Sequence, residues 1–339
     1  MNRSFVSRLF SATALVVATF ASAPAQAGPF GGFFVFGDSL SDSGNNFLAG
    51  LYDPTQVITG NSYVPSYTYA PAGTYSNGPV WATYFASIIG VPLAPSLAGG
   101  GNFAFGGATT GTPGPGPGGF PYSLRTQADQ YLGSTGGVAS ADALYVVAGG
   151  GDNARAALTA IAGGAPIFAT AIATANAFAD DVGDIVDELQ AAGAQHIVVW
   201  NTPNLGLAPA LVDGGPLAVF AGSFIANRMN IALAARLNGE AGVTTFDLFG
   251  FGSLVAANPA AFGFTNATDA CGAVTGADCS DYLFWDGIHP TTAAHHALAN
   301  SLAITLGVPE PETYALLAIG LVAVLLQARR RAKARAVAA

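Results

Sequence analysis

The chain alternates between two kinds of apolar stretch. Short, nearly unbroken apolar runs occupy Gly32 to Phe36, Ala143 to Ala148, His196 to Trp200 and Val243 to Asp247. Runs of that length and continuity are expected of strands buried on both faces. Asn102 to Phe105, which leads into Gly106-Gly107, is a shorter candidate of the same kind. Between these runs, apolar residues recur at helical spacing in Val80 to Ile89, Ser123 to Tyr131, Asn153 to Ala162, Ala165 to Ala192, Leu217 to Leu237 and Thr292 to Leu306. Gly90 followed by Pro92 stops the first of these helices, and Gly193 closes the long fourth one. Strand and helix in alternation predict an α/β fold, with a parallel sheet covered on both faces. Right-handed crossovers make that a three-layer α/β/α sandwich. Functional groups are then expected at the carboxyl ends of the strands. Two segments stand outside the alternation. Asn45 to Ser76, rich in Tyr, Pro, Gly and Ser, predicts a long loop, and Gly111 to Gly119 has too much Gly and Pro for regular structure.

Both ends depart from this pattern. Arg3 and Arg8 precede apolar Leu9 to Ala21, and Ala25-Gln26-Ala27 supplies a small-residue cleavage pattern, so residues 1–27 are expected to be a secretory signal. Near the other end, Val308-Pro309-Glu310-Pro311 is followed by apolar Tyr314 to Leu326 and then by Arg329, Arg330, Arg331, Lys333 and Arg335. As a helix the apolar run reaches roughly 20 Å, short of the ~30 Å hydrocarbon core. Residues 309–339 resemble the PEP-CTERM sorting tail of Gram-negative bacteria. The resemblance implies recognition by an exosortase, cleavage near Pro309-Glu310-Pro311, and release or attachment at the cell surface. A plain membrane anchor, cytoplasmic at its basic end, is the alternative. Residues 28–308 remain as one domain of ordinary α/β size.

Setting the ends aside changes the charge. Residues 28–308 carry four basic residues, Arg125, Arg155, Arg228 and Arg236, against eighteen acidic ones, a net charge of −14. Such a surface repels nucleic acid and anionic membrane. Asp180, Asp181, Asp184, Asp187 and Glu188 cluster on the longest helix, where a solvated face is expected. Cys271 and Cys279 both fall in the exported part. An oxidising compartment favours a disulfide between them, worth on the order of 2–3 kcal/mol and bracing the segment before Asp286. No spacing of His, Cys and carboxylates suggests a metal site, and no cofactor is expected.

The candidate chemistry lies in two stretches far apart in sequence. Phe34-Val35-Phe36-Gly37-Asp38-Ser39-Leu40 is a strand running into a turn with a serine, and Trp285-Asp286-Gly287-Ile288-His289-Pro290 places an aspartate three residues before a histidine. A serine hydroxyl becomes a nucleophile when an imidazole takes its proton and a carboxylate fixes the imidazole tautomer. Ser39, His289 and Asp286 supply those parts. His196 opens a strand, and His295 and His296 fall on a helix, where structural or solvent roles are expected.

Gly37-Asp38-Ser39-Leu40 near the mature start, with Asp286-Gly287-Ile288-His289-Pro290 near the end, resembles the GDSL (SGNH) esterase/lipase family. Asn102 to Ala108 resembles its second block, Ser76 to Trp81 a block of its longer members, and Tyr282 to Thr291 its phospholipase/lecithinase/haemolysin branch. The strict Gly-x-Ser-x-Gly elbow is absent, since Leu40 and Ser41 follow Ser39. The resemblance implies a flavodoxin-like sandwich and an oxyanion hole made by the Ser39 N–H, a glycine N–H and an asparagine amide. The glycine maps to Gly107, with Gly106 the competitor. The third block, Gly-x-Asn-Asp in the family, is Gly149-Gly150-Gly151-Asp152-Asn153 here, with the last pair transposed. Asn153 is then the expected amide donor, while Asp152 holds the expected position with a carboxyl that would repel an oxyanion when ionised.

The expectation is a secreted serine esterase or lipase whose partner is an ester substrate, either a lipid or an acylated polysaccharide. Tyr52, Tyr63, Tyr67, Tyr69 and Tyr75 of the long loop are available to line an acyl site, to stack on sugars or simply to pack. The transposed pair and the sorting tail together leave an alternative: an exopolysaccharide-associated surface protein with little catalysis.

Overall fold

Four of the apolar runs form one parallel sheet in the computed structural model, which describes residues 29–62, 67–69 and 71–308, and residues 320, 324 and 327 besides. The secretory segment lies outside the described residues, as does the sorting tail apart from those last three. The chain begins with β1 (Gly32–Gly37), short α1 (Asn45–Leu48), α2 (Trp81–Ile89) and α3 (Leu124–Ser134). It continues through β2 (Ala143–Ala148), α4 (Gly151–Ala162), α5 (Ile167–Ala191) and β3 (His196–Trp200). Then come α6 (Pro209–Asp213), α7 (Pro216–Arg236), β4 (Val243–Phe246) and α8 (Leu248–Ala257). A two-stranded ribbon, β5 (Asn266–Ala270) with β6 (Tyr282–Phe284), precedes α9 (Thr292–Thr305). The main sheet runs β1-β2-β3-β4, parallel throughout.

Period-two alternation along each strand assigns the layers. Phe36, Tyr145, Val147, Ile197 and Val199 point into one core, closed by Ala and large apolar residues of α3, α4, α5 and α7. Phe33, Val35, Leu144, Val146, Val198 and Trp200 point into the other, closed by α2 and α9. Both faces are covered, so the fold is the expected α/β sandwich. The acids of α5 are not simply solvated. Arg125 pairs with Asp184 and Glu188, and Arg236 with Asp187, so two of the four basic residues lie against that face.

Two expectations need correction. Asn102 to Phe105 is not a strand. Asn102 makes single parallel bridges to Val35 and Pro95, and Phe103 and Phe105 donate to the carbonyls of Val35 and Gly37. The segment therefore follows the free edge of β1 without building a ladder, because glycines flank it and the Asn102 side chain is drawn inward to the Ser41 carbonyl and Ser43 hydroxyl. It runs alongside β1, the edge strand of the sheet, toward the carboxyl end, which is where such sheets bind ligands. The second correction is α8, which follows β4 at once. Asp247, expected as the end of the strand, instead caps this helix by accepting the Gly250 N–H at 2.9 Å. Cys271 and Cys279 are joined, closing the turn between β5 and β6.

Gln127 on α3 clamps the end of β1. Its amide, without exposed surface, accepts the Gly37 N–H at 2.8 Å and donates to the carbonyls of Gly37 at 2.9 Å and, part-buried, of Tyr122 at 2.8 Å. Gln127→Ala strands these groups and is expected to cost about 2–4 kcal/mol, read from the shift of the urea unfolding midpoint.

Candidate active site

β1 ends in a turn that only its own sequence permits. A Cβ on Gly37 would lie 2.7 Å from the Ala148 carbonyl and 2.8 Å from Ser41 Cβ. The N–H groups of Ser41 and Asp42 return to the Asp38 carbonyl at 3.0 Å, so Ser39 stands at the apex, half-buried. Asp42 locks the turn. Its carboxylate, without exposed surface, accepts the N–H groups of Gly44, Asn45, Asn46 and Gly106. Burial pushes that carboxyl up to about 6, against the pull of these four donors.

The other stretch, between β6 and α9, arrives over the same point. His289 Nε2 lies 2.9 Å from Ser39 Oγ, and His289 Nδ1 lies 2.7 Å from Asp286 Oδ2. Asp286 Oδ2 also accepts the Tyr69 hydroxyl at 2.7 Å, while Oδ1 accepts the N–H groups of Ile288 and His289 at 2.8 and 2.7 Å. Burial alone would raise the Asp286 carboxyl. His289 and these donors outweigh it and hold the group below the ordinary carboxylate value. The structure thus brings the three predicted residues into one chain of hydrogen bonds, Ser39–His289–Asp286, with the last two buried.

Tyr69 and Tyr75 were seen in the sequence only as members of a tyrosine-rich loop. The structure buries both beside the relay. Tyr69 braces the carboxylate, and the Tyr75 ring lies 5.4 Å from that of His289. A Cβ on Gly106 would strike the Tyr75 ring at 2.1 Å, which explains a glycine there. The signal for these tyrosines was present in composition but not in spacing. The remaining histidines lie elsewhere: His196 against Phe30, His296 against Tyr84, and His295 fully buried on α9, with burial lowering it to about 3.

The two glycines of the second block differ in their duties. The Gly106 N–H is engaged by Asp42, whereas Gly107 is exposed with φ +84°. The third block follows β2 at the start of α4. Asn153 Nδ2 donates to Thr110 Oγ1 at 2.9 Å, and its Oδ1 accepts the Thr110 N–H at 3.0 Å. Its amide therefore ties α4 to the loop after Gly107. Asp152, one residue earlier, lines the cavity that Ser39 and His289 share. Arg155 Nη1 donates to Asp152 Oδ1 at 2.7 Å.

Two carboxyls, Asp38 buried and Asp152 half-buried, line the cavity beside Ser39. Burial and the neighbouring Asp152 push Asp38 up to about 7, opposed by the N–H groups of Leu40 and Gly151 and by Arg155. Burial also raises Asp152, opposed by Arg155 and His289. Ser39 and His289 open onto a cavity of about 140 Å³, walled by apolar side chains of the β3–α6 loop, α8, β6 and α9. Among the described residues no tyrosine lines it.

This arrangement of sandwich, apical serine and buried Asp–His pair is that of an SGNH-type scaffold, and the comparisons agree. Residues 33–302 match the family described as GDSL-like Lipase/Acylhydrolase, and the chain belongs to that family. Residues 307–331 match the PEP-CTERM protein-sorting motif, which indicates export and surface association in Gram-negative bacteria. A GDSL esterase/lipase of Arabidopsis thaliana is 35% identical over 103 residues, covering 27% of this chain and 26% of that protein. Lipase 1 of Photorhabdus luminescens is 30% identical over 213 residues, covering 63% of this chain and 28% of the lipase. GDSL esterase/lipase LTL1 of Arabidopsis thaliana is 27% identical over 334 residues, covering 80% of this chain and 86% of that protein. The chain spans only about a quarter of the length of the first two of these relatives.

The raised Asp38 carboxyl has a stability consequence of definite sign. The folded chain holds this proton up to about pH 7, the unfolded chain only up to the ordinary 3.8. The folded state binds more protons across that interval, so the contribution is complete below it and is lost as pH rises through about 7. Asp38→Asn is expected to flatten this decline relative to wild type, measured as unfolding free energies at several pH values across the interval.

Proposed function

We propose that the protein hydrolyses carboxylic esters, with Ser39 as nucleophile, His289 as general base and acid, and Asp286 as the group that orients and stabilises the imidazole. The observation that carries this reading is the continuous relay from Ser39 Oγ through both ring nitrogens of His289 to the buried Asp286. Ser39 Oγ attacks the ester carbonyl carbon while its proton passes to His289 Nε2. The tetrahedral intermediate collapses, the carbonyl–alkoxy bond breaks, and the leaving oxygen takes the proton from His289 and departs as alcohol. A water then gives its proton to His289 and attacks the acyl-enzyme, releasing the acid and restoring the Ser39 hydroxyl.

The oxyanion falls to backbone donors, the N–H groups of Ser39 and Gly107. Asn153 supports them through Thr110 by holding the Gly107 loop against α4. Asp152 stands where an amide would donate directly, so the site works with a carboxyl in that place and gains by its replacement. The sorting motif supports an exported enzyme handed to an exosortase and released or held at the cell surface.

Ester turnover tests the reading. Ser39→Ala is expected to lower kcat by at least about 10³-fold with the fold intact. Asp152→Asn is expected to raise kcat on the order of tenfold, by a factor that grows as rising pH ionises the native carboxyl, given that one oxyanion donor is typically worth about 10²–10³. Full activity in Ser39→Ala would remove the proposal.

A further inference from the structure

We infer that the Cys271–Cys279 disulfide positions the carboxylate of Asp286, so that ester turnover reaches its full rate only once this bond has formed. The inference rests on the reading of Ser39, His289 and Asp286 as one relay, and it adds the element that holds the relay at its far end.

The backbone makes the first connection. The Trp285 N–H donates to the His289 carbonyl at 2.8 Å, and the Trp285 carbonyl accepts the Gly272 N–H at 2.9 Å. Trp285 is thus held by the His289 turn on one side and by the disulfide turn on the other, and Asp286 follows it directly. Gly272 is the neighbour of Cys271, which has almost no exposed surface. A Cβ on Gly272 would lie 2.4 Å from Ile58 Cδ1 and 2.9 Å from the Trp285 carbonyl oxygen, so the disulfide turn is pressed against both.

Side chains make the second. Ile58, Tyr69 and Ala270 form a small buried cluster, with Ala273 and Trp285 packed against it. The Tyr69 ring meets the Trp285 ring edge-on at 5.6 Å, and its hydroxyl donates to Asp286. Tyr69 and Trp285, which both support the carboxylate, therefore lean on residues 270–273.

The ribbon itself is thin. β5 and β6 pair at Asn266–Tyr282 and at Ala270–Phe284, with a register shift between. Thr265 holds Asp281 at one end through its N–H at 2.8 Å and its hydroxyl at 2.7 Å, and Ala270 donates to Asn61 Oδ1 at 2.8 Å. Beyond Ala270 the connection is exposed at residues 274–276, and the disulfide closes it. A loop this short removes little chain entropy when closed. None of residues 266–284 belongs to the two cores that cover the sheet. Opening the bond therefore loosens the support of Asp286 and leaves the sandwich folded.

The chain holds two cysteines, so a reductant acts at this one bond. Its formation passes two electrons and two protons from the thiols to a disulfide oxidant, which leaves as two thiols. A reducing cytoplasm withholds that step and an oxidising compartment allows it. With the sorting motif directing export, the chain gains its full rate outside the cytoplasm.

The experiment follows turnover of p-nitrophenyl acetate by the purified full chain, oxidised and after dithiothreitol, with thiols counted by alkylation and mass spectrometry. Reduction, and separately Cys271→Ala combined with Cys279→Ala, is expected to lower kcat about ten- to hundredfold, as for about 1 Å of misplacement, with KM within about twofold and the circular dichroism spectrum unchanged. Oxidised glutathione is expected to restore kcat in the wild type and not in the double variant. Asp286→Ala separates positioning from general loosening. Its residual turnover does not use the carboxylate, so reduction is expected to change it by less than about twofold. Full kcat in the reduced chain or the double variant, a loss that comes only with loss of the folded spectrum, or an equal loss in Asp286→Ala overturns the inference. Failure of the relay reading has a different mark: wild-type turnover indifferent to Ser39→Ala, whatever reduction does.

Discussion

A carboxylate with no exposed surface has to gather donors or lose its charge. Asp286 gathers them from two places in the chain. Two come from backbone N–H groups in its own turn, one from the ring of His289, and one from Tyr69, 217 residues away in sequence. This set of bonds holds the histidine ring with its Nε2 2.9 Å from Ser39 Oγ. It also fastens the loop before α2 to the loop before α9. Removing the charge would leave Tyr69 and His289 without their common acceptor inside the protein.

Asp42 plays the corresponding part for the turn that carries Ser39. Its four N–H donors fold the Gly37–Asn46 turn against the Asn102–Gly106 segment, and Trp81 adds a hydrogen bond to Ser41 Oγ at 3.0 Å. The glycines at 37 and 106 follow from this closeness, since a side chain at either would overlap backbone or the Tyr75 ring. The two carboxylates thus anchor the two halves of the site, and the sheet beneath supplies the distance at which they meet. Asp38 and Asp152 crowd the same neighbourhood with fewer donors, and burial raises both, as it raises Asp42.

Much of this was legible in the sequence. β1 to β4 lie within one residue of their expected bounds, β1 to β3 because they are nearly continuous apolar runs, whereas β4, at the sheet edge, exposes Thr244 and Thr245. That Ser39, Asp286 and His289 meet was legible because His is rare in this chain and one of its four follows an aspartate by three residues, opposite a serine that closes a strand. What escaped was set by tertiary contact. Tyr69 and Tyr75 differ from their neighbours only in what they touch. Asn102 has the apolar company of a strand, but its side chain is taken up by the turn at Ser41 and Ser43. In the third block, Asn153 has the right amide, yet one residue along a helix start turns a side chain by about 100°, enough to send Asn153 to Thr110 and leave Asp152 in the cavity wall. The apolar cavity was invisible because its walls come from α6, α8, β6 and α9, which sequence order keeps apart.

The central claim is that burial of the Asp286–His289 pair makes Ser39 a reactive nucleophile. Covalent labelling tests it most directly. The purified full chain, treated with a fluorophosphonate and digested for mass spectrometry, is expected to carry a single adduct on Ser39. That adduct should be absent from Ser39→Ala and strongly slowed in His289→Ala. A folded wild-type chain that takes no label, or takes it on another serine, would contradict the account.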